Sequence, residues 1–422
     1  MTSAWAVGGT SPFLAPDSWT YLKVAGHLAA DFVFQRDSGV PELSRTPGYP
    51  LLLVPGTLLD APVLYALALN LLFVAGIVLL TYDLARRLTS QRTAAVCAFV
   101  VALEPTLMTW SMKVMPEALF TLCLLVFARA AIAVMEDRPV LTKVSLLAAA
   151  ALCTATYVKP IVYPFVAVSI VAAFFIVRPR TATLFAACCV TLLAPWHLRN
   201  YAVAGYAGFS TIMERAAYLA AGASVAAERA RIPTADMRQR MLGRANAVAP
   251  AQIRREGLAL IRSDPFGYAV THAKGMLRTL FDPGALEYPR MFGTYREGAA
   301  ATVRAGGLPA LVRAYPLEVA ASVVLAVALL PLVILPAVAA IRFRRDPRVI
   351  LLALLAAYLI VAGGGVPGYH RFRVPAVPFL VLLSATVVYT SRNGIFGGRR
   401  HPDARLGGNR DDVRSLARHS PA

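Results

Sequence analysis

Long apolar runs alternate with short basic connections along most of the chain. A helix needs about 20 residues to cross the roughly 30 Å of hydrocarbon in a bilayer. Nine runs approach or exceed that length and are predicted to span the membrane: 62–81, 94–111, 115–135, 143–158, 160–177, 181–197, 316–341, 348–366 and 373–391. The pattern predicts an all-α polytopic membrane protein with a bundle of about nine transmembrane helices.

Composition supports this class and excludes several others. Of the 422 residues, 58% are hydrophobic and 15% are charged, whereas soluble domains are about half apolar and a quarter charged. All five cysteines fall inside apolar runs, where they act as small hydrophobic residues and predict no disulfide framework. The six histidines lack the paired short spacings of a zinc or di-iron site, and no signal-peptide pattern opens the chain.

The net charge of +19 could indicate nucleic-acid binding, but the distribution of the basic residues favours a membrane explanation. They cluster in the connections after the first, third, fifth, seventh and ninth predicted spans: Arg86, Arg87 and Arg92; Arg138 and Lys143; Arg178 and Arg180; Arg342, Arg344, Arg345 and Arg348; and Arg392, Arg399 and Arg400. By the positive-inside rule these connections are cytoplasmic. Nucleic acid is therefore not an expected partner.

This orientation divides the chain into five parts. We predict an exoplasmic first loop at 1–61, about six spans in 62–197, an exoplasmic helical insert at 198–315 and three spans in 316–391. Residues 392–422, rich in Gly, Arg, Asp and Pro, predict a disordered basic cytoplasmic tail that contacts anionic membrane lipid.

Most of the unusual ionisable residues gather on the predicted outer side: Asp17, Arg45, Glu104, Lys113, Glu117, Lys159, His197, Arg199, His370, Arg371 and Arg373. Charges at membrane depth are costly, so they pair, line a wet cavity or bind a substrate. Such cations suit a lipid-attached phosphate, and a carboxylate among them suits activation of an incoming hydroxyl.

Simpler structural roles compete with these functional ones. Arg371 and Arg373 could extend to lipid headgroups, and Lys159 could be an interfacial lysine at a helix break. Glu117 could complement the dipole of its helix, and His197 could be an interfacial histidine.

Six segments occur in an order that resembles a known family: DxxxYL at 17–22, SRTPGYPLLL at 44–53, MPEALF at 115–120, VKP at 158–160, APWHLRN at 194–200 and HRFRVPAVPFL at 370–380. The chain resembles the membrane-bound glycosyltransferases of the GT-C superfamily. Among these it looks most like the bacterial relatives of protein O-mannosyltransferases and lipid A aminoarabinose transferases.

The resemblance implies transfer, with inversion, of a sugar from a polyprenyl-phosphate donor to a protein, lipid or glycan acceptor. The active site would face the outside of the bacterial cytoplasmic membrane, with Asp17 as general base. The substrate-binding positions would be Arg45, Tyr49, Glu117 and His197, and the lipid-phosphate-binding positions would be Lys159, Arg199, His370, Arg371 and Arg373.

The chain also departs from the family pattern. Many members have an acidic pair where this chain has Asp17-Ser18. The family contains both metal-dependent and metal-independent branches, and this single acid favours a site without a divalent metal; no cofactor is expected. Members begin with a membrane helix that delivers the first loop to the outer face, but residues 1–16 are too short to span. We expect a translation start set too far downstream, in preference to a shortened, inactive paralogue in envelope glycan assembly.

A transporter or flippase for a lipid-linked substrate is the main alternative to an enzyme. It predicts charges and broken helices near the bilayer midplane, together with inverted repeats. Here the charges lie at the outer ends of the spans and no repeat is evident. A non-catalytic partner in glycan assembly would not need Asp17.

Overall fold

A computed structural model of the protein describes residues 12–136, 141–285, 287, 298–365 and 368–396. Residues 1–11 of the predicted first loop, Arg138, and residues 397–422 of the predicted tail lie outside the described residues. The elements are α1 (Pro16–Asp31), β1 (Gln35–Asp37), β2 (Val40–Pro41), α2 (Gly48–Leu58), α3 (Pro62–Leu88), α4 (Gln91–Ala102), α5 (Pro105–Ser111), α6 (Glu117–Glu136), α7 (Leu141–Val158), α8 (Tyr163–Ile176), α9 (Pro179–Ala204), α10 (Ile212–Ala216), α11 (Ala223–Ala230), α12 (Thr234–Ala247), α13 (Pro250–Ser263), α14 (Pro265–Phe281), α15 (Ala299–Ala314), α16 (Pro316–Arg342), α17 (Pro347–Gly363) and α18 (Val377–Phe396). The described residues also form two 3₁₀ turns (Pro160–Val162 and His370–Ala376) and a π-helical segment (Ala217–Gly222).

The helical membrane-protein class is confirmed. Within the described ranges, five segments are long and apolar enough to cross a bilayer: α3, α6, α9, α16 and the stretch His370–Ser391, which includes most of α18. The predicted spans 143–158, 160–177 and 348–366 correspond to shorter apolar helices. The chain is a multi-pass membrane protein.

The predicted span 94–111 is not one straight helix. It divides into α4 and α5, which meet at an angle of 51°. Pro105 opens α5 and has no N–H to continue the helix, and the Glu104 carboxylate accepts a hydrogen bond from the Leu107 N–H at 2.6 Å. Glu104 thus caps a new helix where the sequence pattern predicts a continuous one.

The last helix lies at the centre of the bundle. In the most apolar part of His370–Ser391, 78% of the residues are buried, against 17% in the corresponding parts of α3 and α16. α18 packs against α3, α4, α16 and α17, while α6 packs against α3 and α7. The exposed leucines and valines of α3 and α16 therefore form the apolar outer surface, as expected where helices contact lipid.

Two smaller units flank the bundle. α1 packs on α2, and the antiparallel strands β1 and β2 join them. In the predicted insert, helices α10 to α13 enclose a second small core that includes Tyr218, Met241 and Ile253. Gly257 of α13 is required there, because a Cβ at this position would lie 2.7 Å from the Ala217 carbonyl carbon.

Candidate active site

A cavity of about 400 Å³ lies where the first loop, the insert and the helix bundle meet. This volume is within the range of small-molecule sites, about 300–1,000 Å³. Asp17, Arg45, Lys159 and Arg371 line it, whereas most of its other walls are apolar side chains and glycines from α10, the π-helical segment, α13 and α17. The cavity therefore combines a strongly charged group of residues with a largely apolar wall.

Asp17 lies in the first turn of α1, where Pro16 opens the helix. Its Oδ1 accepts a hydrogen bond from Arg45 Nη2 at 2.6 Å, and its Oδ2 accepts one from Arg371 Nη1 at 2.7 Å. Burial favours the neutral acid, but the two guanidinium groups outweigh it and lower the pKa of Asp17 to about 2. Asp17 is therefore an anion with both oxygens engaged.

Glu117 connects two residues of the cavity wall, Arg371 and Lys159. Its Oε1 accepts hydrogen bonds from Arg371 Nε at 2.5 Å and from Lys159 Nζ at 3.0 Å. The Glu117 side chain is fully buried and does not line the cavity. Because Glu117 begins α6 and Lys159 lies at the break after α7, the ends of two helices hold this contact. Glu117 positions two cations.

Five of the predicted site residues thus form one continuous chain of ion pairs: Arg45, Asp17, Arg371, Glu117 and Lys159. Three cations face two carboxylates, so the chain keeps one net positive charge. An anion in the cavity would complete the charge balance. Because the pairs are largely removed from water, their charges act over short distances with little screening.

Tyr49 is buried and is not part of the cavity wall. It is 1% exposed, and its ring meets that of Tyr21 edge to face with centroids 5.1 Å apart. Tyr21 lines the cavity and carries the Arg45 guanidinium 5.1 Å above its ring centre. Tyr49 therefore packs against Tyr21, and Tyr21 in turn contacts the Arg45 guanidinium.

Arg373, predicted to bind the lipid phosphate, lies away from the cavity and is 1% exposed. Its Nη1 donates hydrogen bonds to the carbonyl oxygens of Thr279, Leu280 and Asp282 at 3.0, 3.0 and 2.9 Å, and its Nη2 donates to Thr106 at 2.7 Å. A helix leaves its last carbonyls without internal partners. The structure thus places Arg373 at the C-terminus of α14, where it satisfies those carbonyls.

His370 and Arg199 are also held by protein groups outside the cavity. His370 Nδ1 lies 2.9 Å from Asp282 Oδ2. Arg199 donates hydrogen bonds to the carbonyl oxygens of Glu42 and Phe34 at 2.8 and 2.7 Å, so it fastens the loop around β1 and β2 to α9. The sequence pattern identifies these two residues, but not which protein groups the fold brings next to them.

His197, predicted to bind substrate, also lies outside the cavity wall. Its Nε2 is 3.1 Å from the Tyr163 hydroxyl, and its Nδ1 is 2.8 Å from the Ala207 carbonyl oxygen. Both ring nitrogens therefore contact protein groups, and the predicted substrate contact of His197 stays a prediction.

We expect Arg373→Gln to lower the thermal unfolding temperature of the protein in detergent. Glutamine cannot reach all four acceptors, and each buried polar group left without a partner costs about 1–3 kcal/mol. Arg344→Gln is the matched control because Arg344 is exposed. Equal unfolding temperatures for the two variants would contradict a capping role for Arg373.

Three further side chains near the site lie outside the six segments that resemble the family. Trp110 stacks below Arg371 and Lys113, whose charged groups lie 5.2 and 4.7 Å from its ring centre. Tyr268 and His272 of α14 line the cavity. Their spacing of four residues puts them on one face of an amphipathic helix, which is the only sequence signal that could have found them.

The described part of the chain contains no group of three or more His, Cys, Asp or Glu side chains placed to hold a metal ion. The expectation of a site without a divalent metal stays a prediction.

No protein-family model and no curated protein matches the sequence. Solved structures with a similar fold include the archaeal oligosaccharyltransferase AglB from Archaeoglobus fulgidus in complex with an inhibitory peptide and a dolichol-phosphate, at 14% identity and a TM-score of 0.46, covering 91% of this chain and 48% of that chain. ArnT from Cupriavidus metallidurans bound to undecaprenyl phosphate is similar at 16% identity and a TM-score of 0.37, covering 91% of this chain and 76% of that one. The chain spans about half the length of the oligosaccharyltransferase that it matches.

Proposed function

We propose that the protein transfers a sugar from a polyprenyl-phosphate donor to an acceptor hydroxyl at the outer face of the bacterial cytoplasmic membrane, with Asp17 as general base. The observation that carries this proposal is the position of Asp17 between Arg45 and Arg371, in a cavity whose other walls are mostly apolar. The six segments in the order of the GT-C superfamily support it.

The two kinds of wall match the two parts of a lipid phosphate. Arg45, Arg371 and Lys159 offer guanidinium and ammonium donors to phosphate oxygens, and the net positive charge of the ion-pair chain favours an anion. The apolar walls suit the hydrocarbon adjacent to the phosphate. An amphiphilic anion therefore fits this cavity better than a soluble sugar nucleotide does.

Donor binding would also release the base. In the free protein each oxygen of Asp17 accepts a hydrogen bond from one arginine, which makes it a weak base. A donor phosphate competes for the same guanidinium groups. As their hydrogen bonds move to the phosphate, an Asp17 oxygen is freed and its basicity rises.

The transfer step then follows from the positions of these charges. Asp17 accepts the proton of the acceptor hydroxyl while that oxygen bonds to the anomeric carbon on the face opposite the phosphate, which inverts the configuration. The bond between the anomeric carbon and the phosphate oxygen breaks, and the lipid phosphate leaves with both electrons. Arg45, Arg371 and Lys159, already bound to the phosphate in the donor complex, stabilise its growing charge with no further reorganisation during the transfer step.

Arg371→Lys tests the phosphate site directly. A lysine cannot contact Asp17 and Glu117 through separate nitrogens while offering a fork to phosphate. We expect the Kd for polyprenyl phosphate, measured by thermophoresis on purified protein in detergent, to rise at least about tenfold, equivalent to 1.4 kcal/mol.

Arg348→Lys serves as the matched control, because Arg348 pairs with Asp346 at the start of α17, away from the cavity. A Kd that is the same for wild type, Arg371→Lys and Arg348→Lys would exclude Arg371 from the phosphate site and remove the main support for the proposed function.

A further inference from the structure

Tyr268 and His272 form a polar pair on the wall of the cavity, on an element separate from the ion-pair chain. Both belong to α14, and the Tyr268 hydroxyl oxygen lies 3.1 Å from His272 Nδ1. His272 Nε2 in turn lies 3.0 Å from the carbonyl oxygen of Val361. The proposed sugar transfer uses neither side chain.

The direction of these hydrogen bonds follows from the last acceptor. The Val361 carbonyl can only accept, so His272 Nε2 donates to it. In a neutral imidazole the other nitrogen, Nδ1, is then an acceptor, and the Tyr268 hydroxyl donates its proton to Nδ1. The Tyr268 oxygen, with its own proton committed, presents lone pairs as an acceptor for a donor group on a ligand in the cavity.

Close backbone packing fixes this pair in place. Val361 is in the last turn of α17, at the negative end of the helix dipole. α14 lies directly against the loop that follows, because a Cβ on Gly275 would overlap the carbonyl oxygens of Gly364 and Gly365. A helix held this closely positions Tyr268 and His272 with little freedom.

Charge separates the roles of the two polar regions of the cavity. Among the described side chains that line it, Arg45, Lys159 and Arg371 outweigh Asp17, so a phosphate is attracted to them and a second cation is disfavoured. The C-terminus of α17 disfavours an anion beside Tyr268. A neutral hydrogen-bond donor is therefore the group best suited to the Tyr268 oxygen.

We propose that Tyr268, held by His272, is a binding residue that accepts a hydrogen bond from a hydroxyl of the donor sugar. The assignment of the ligand as a lipid-phosphate sugar rests on the proposed function. The subsite would distinguish the sugar-bearing donor from the lipid phosphate left after transfer, because only the former carries a hydroxyl for Tyr268.

Tyr268→Phe removes the acceptor and keeps the ring. Two probes are compared by thermophoresis on purified protein, polyprenyl phosphate and polyprenyl-phosphate hexose. We expect the Kd for the hexose-bearing probe to rise about three- to tenfold, the effect of one lost hydrogen bond, with the Kd for polyprenyl phosphate unchanged. His272→Gln, whose amide can donate to Val361 and accept from Tyr268, is expected to retain more hexose discrimination than His272→Ala.

Tyr163→Phe is a matched control. Tyr163 also contacts a histidine that contacts a backbone carbonyl, His197 with Ala207, but with the two ring nitrogens exchanged. Tyr163 does not line the cavity, so both Kd values should equal those of wild type. An equal rise for the two probes in Tyr268→Phe, or no change in either, would overturn the sugar subsite alone. Failure of the wild type to bind either probe would instead overturn the proposed function, and the subsite with it.

Discussion

Asp17→Asn is expected to lower kcat for sugar transfer by about a hundred- to ten-thousandfold, the usual contribution of a general base. Asparagine has nearly the same shape as aspartate, but its amide cannot accept the proton of an acceptor hydroxyl. The measurement is transfer of radiolabelled sugar from polyprenyl-phosphate hexose into endogenous acceptors, in membranes that contain equal amounts of each protein.

The affinity of Asp17→Asn for the donor should not fall along with kcat. In wild type the Asp17 carboxylate competes with the donor phosphate for Arg45 and Arg371. An uncharged side chain at this position removes that competitor, so the Kd of Asp17→Asn for polyprenyl phosphate should be equal to or lower than that of wild type. Reduced kcat with undiminished binding separates a base from a residue that only holds the substrate.

The pH profile gives an independent check on Asp17. Because its pKa in the free protein is about 2, below the ordinary value of 3.8, Asp17 stays ionised as the pH falls to about 4. The profile of kcat/KM reports groups of the free enzyme, so no acid limb from Asp17 should occur above that pH.

Asp37→Asn is the matched control for Asp17→Asn. Asp37 also contacts two cations, Lys23 and Arg36, but in the exposed hairpin of β1 and β2. Its kcat should equal that of wild type. Transfer by Asp17→Asn at the rate of the Asp37→Asn control, with both proteins folded, would contradict Asp17 as the base.

The sequence pattern predicted the helical membrane class, and it predicted that the main ionisable residues lie on one side of the membrane. Both predictions were possible because hydropathy and charge depend directly on whether a segment is buried in lipid. The structure joins Asp17, Arg45, Glu117, Lys159 and Arg371, all of which the sequence pattern identifies. Their roles in binding and catalysis stay predictions.

Positions that depend on long-range packing could not be predicted in the same way. Arg371 and Arg373 are two residues apart and chemically identical, yet one reaches the cavity and the other satisfies carbonyls at the end of α14. Only the fold brings the end of α14 next to Arg373. His272 is a similar case, since helical periodicity puts it on one face of α14 with Tyr268 but does not identify which neighbour that face contacts.

Glu117→Gln is expected to lower the free energy of unfolding by about 3–5 kcal/mol, the usual cost of breaking a buried ion pair by removing one partner. The substitution leaves the buried cations Arg371 and Lys159 without their shared carboxylate. The measurement is the free energy of unfolding from denaturant titration in one detergent. Glu136→Gln is the control, because Glu136 pairs with Arg87 and Arg348 at partly exposed positions, where an ion pair contributes about 0–1 kcal/mol.

A second substitution separates lost charge balance from lost packing. Lys159→Met removes one of the two cations that Glu117 neutralises, so the double variant Glu117→Gln with Lys159→Met leaves only Arg371 without this carboxylate. Its free energy of unfolding should exceed the value expected from adding the two single losses by about 0.5–3 kcal/mol, the range for coupled neighbours. Strict additivity would show that Glu117 and Lys159 act independently. Coupling would instead mean that Glu117 holds the cations of the proposed phosphate site through charge, so one buried carboxylate would serve both the stability of the fold and the position of Arg371.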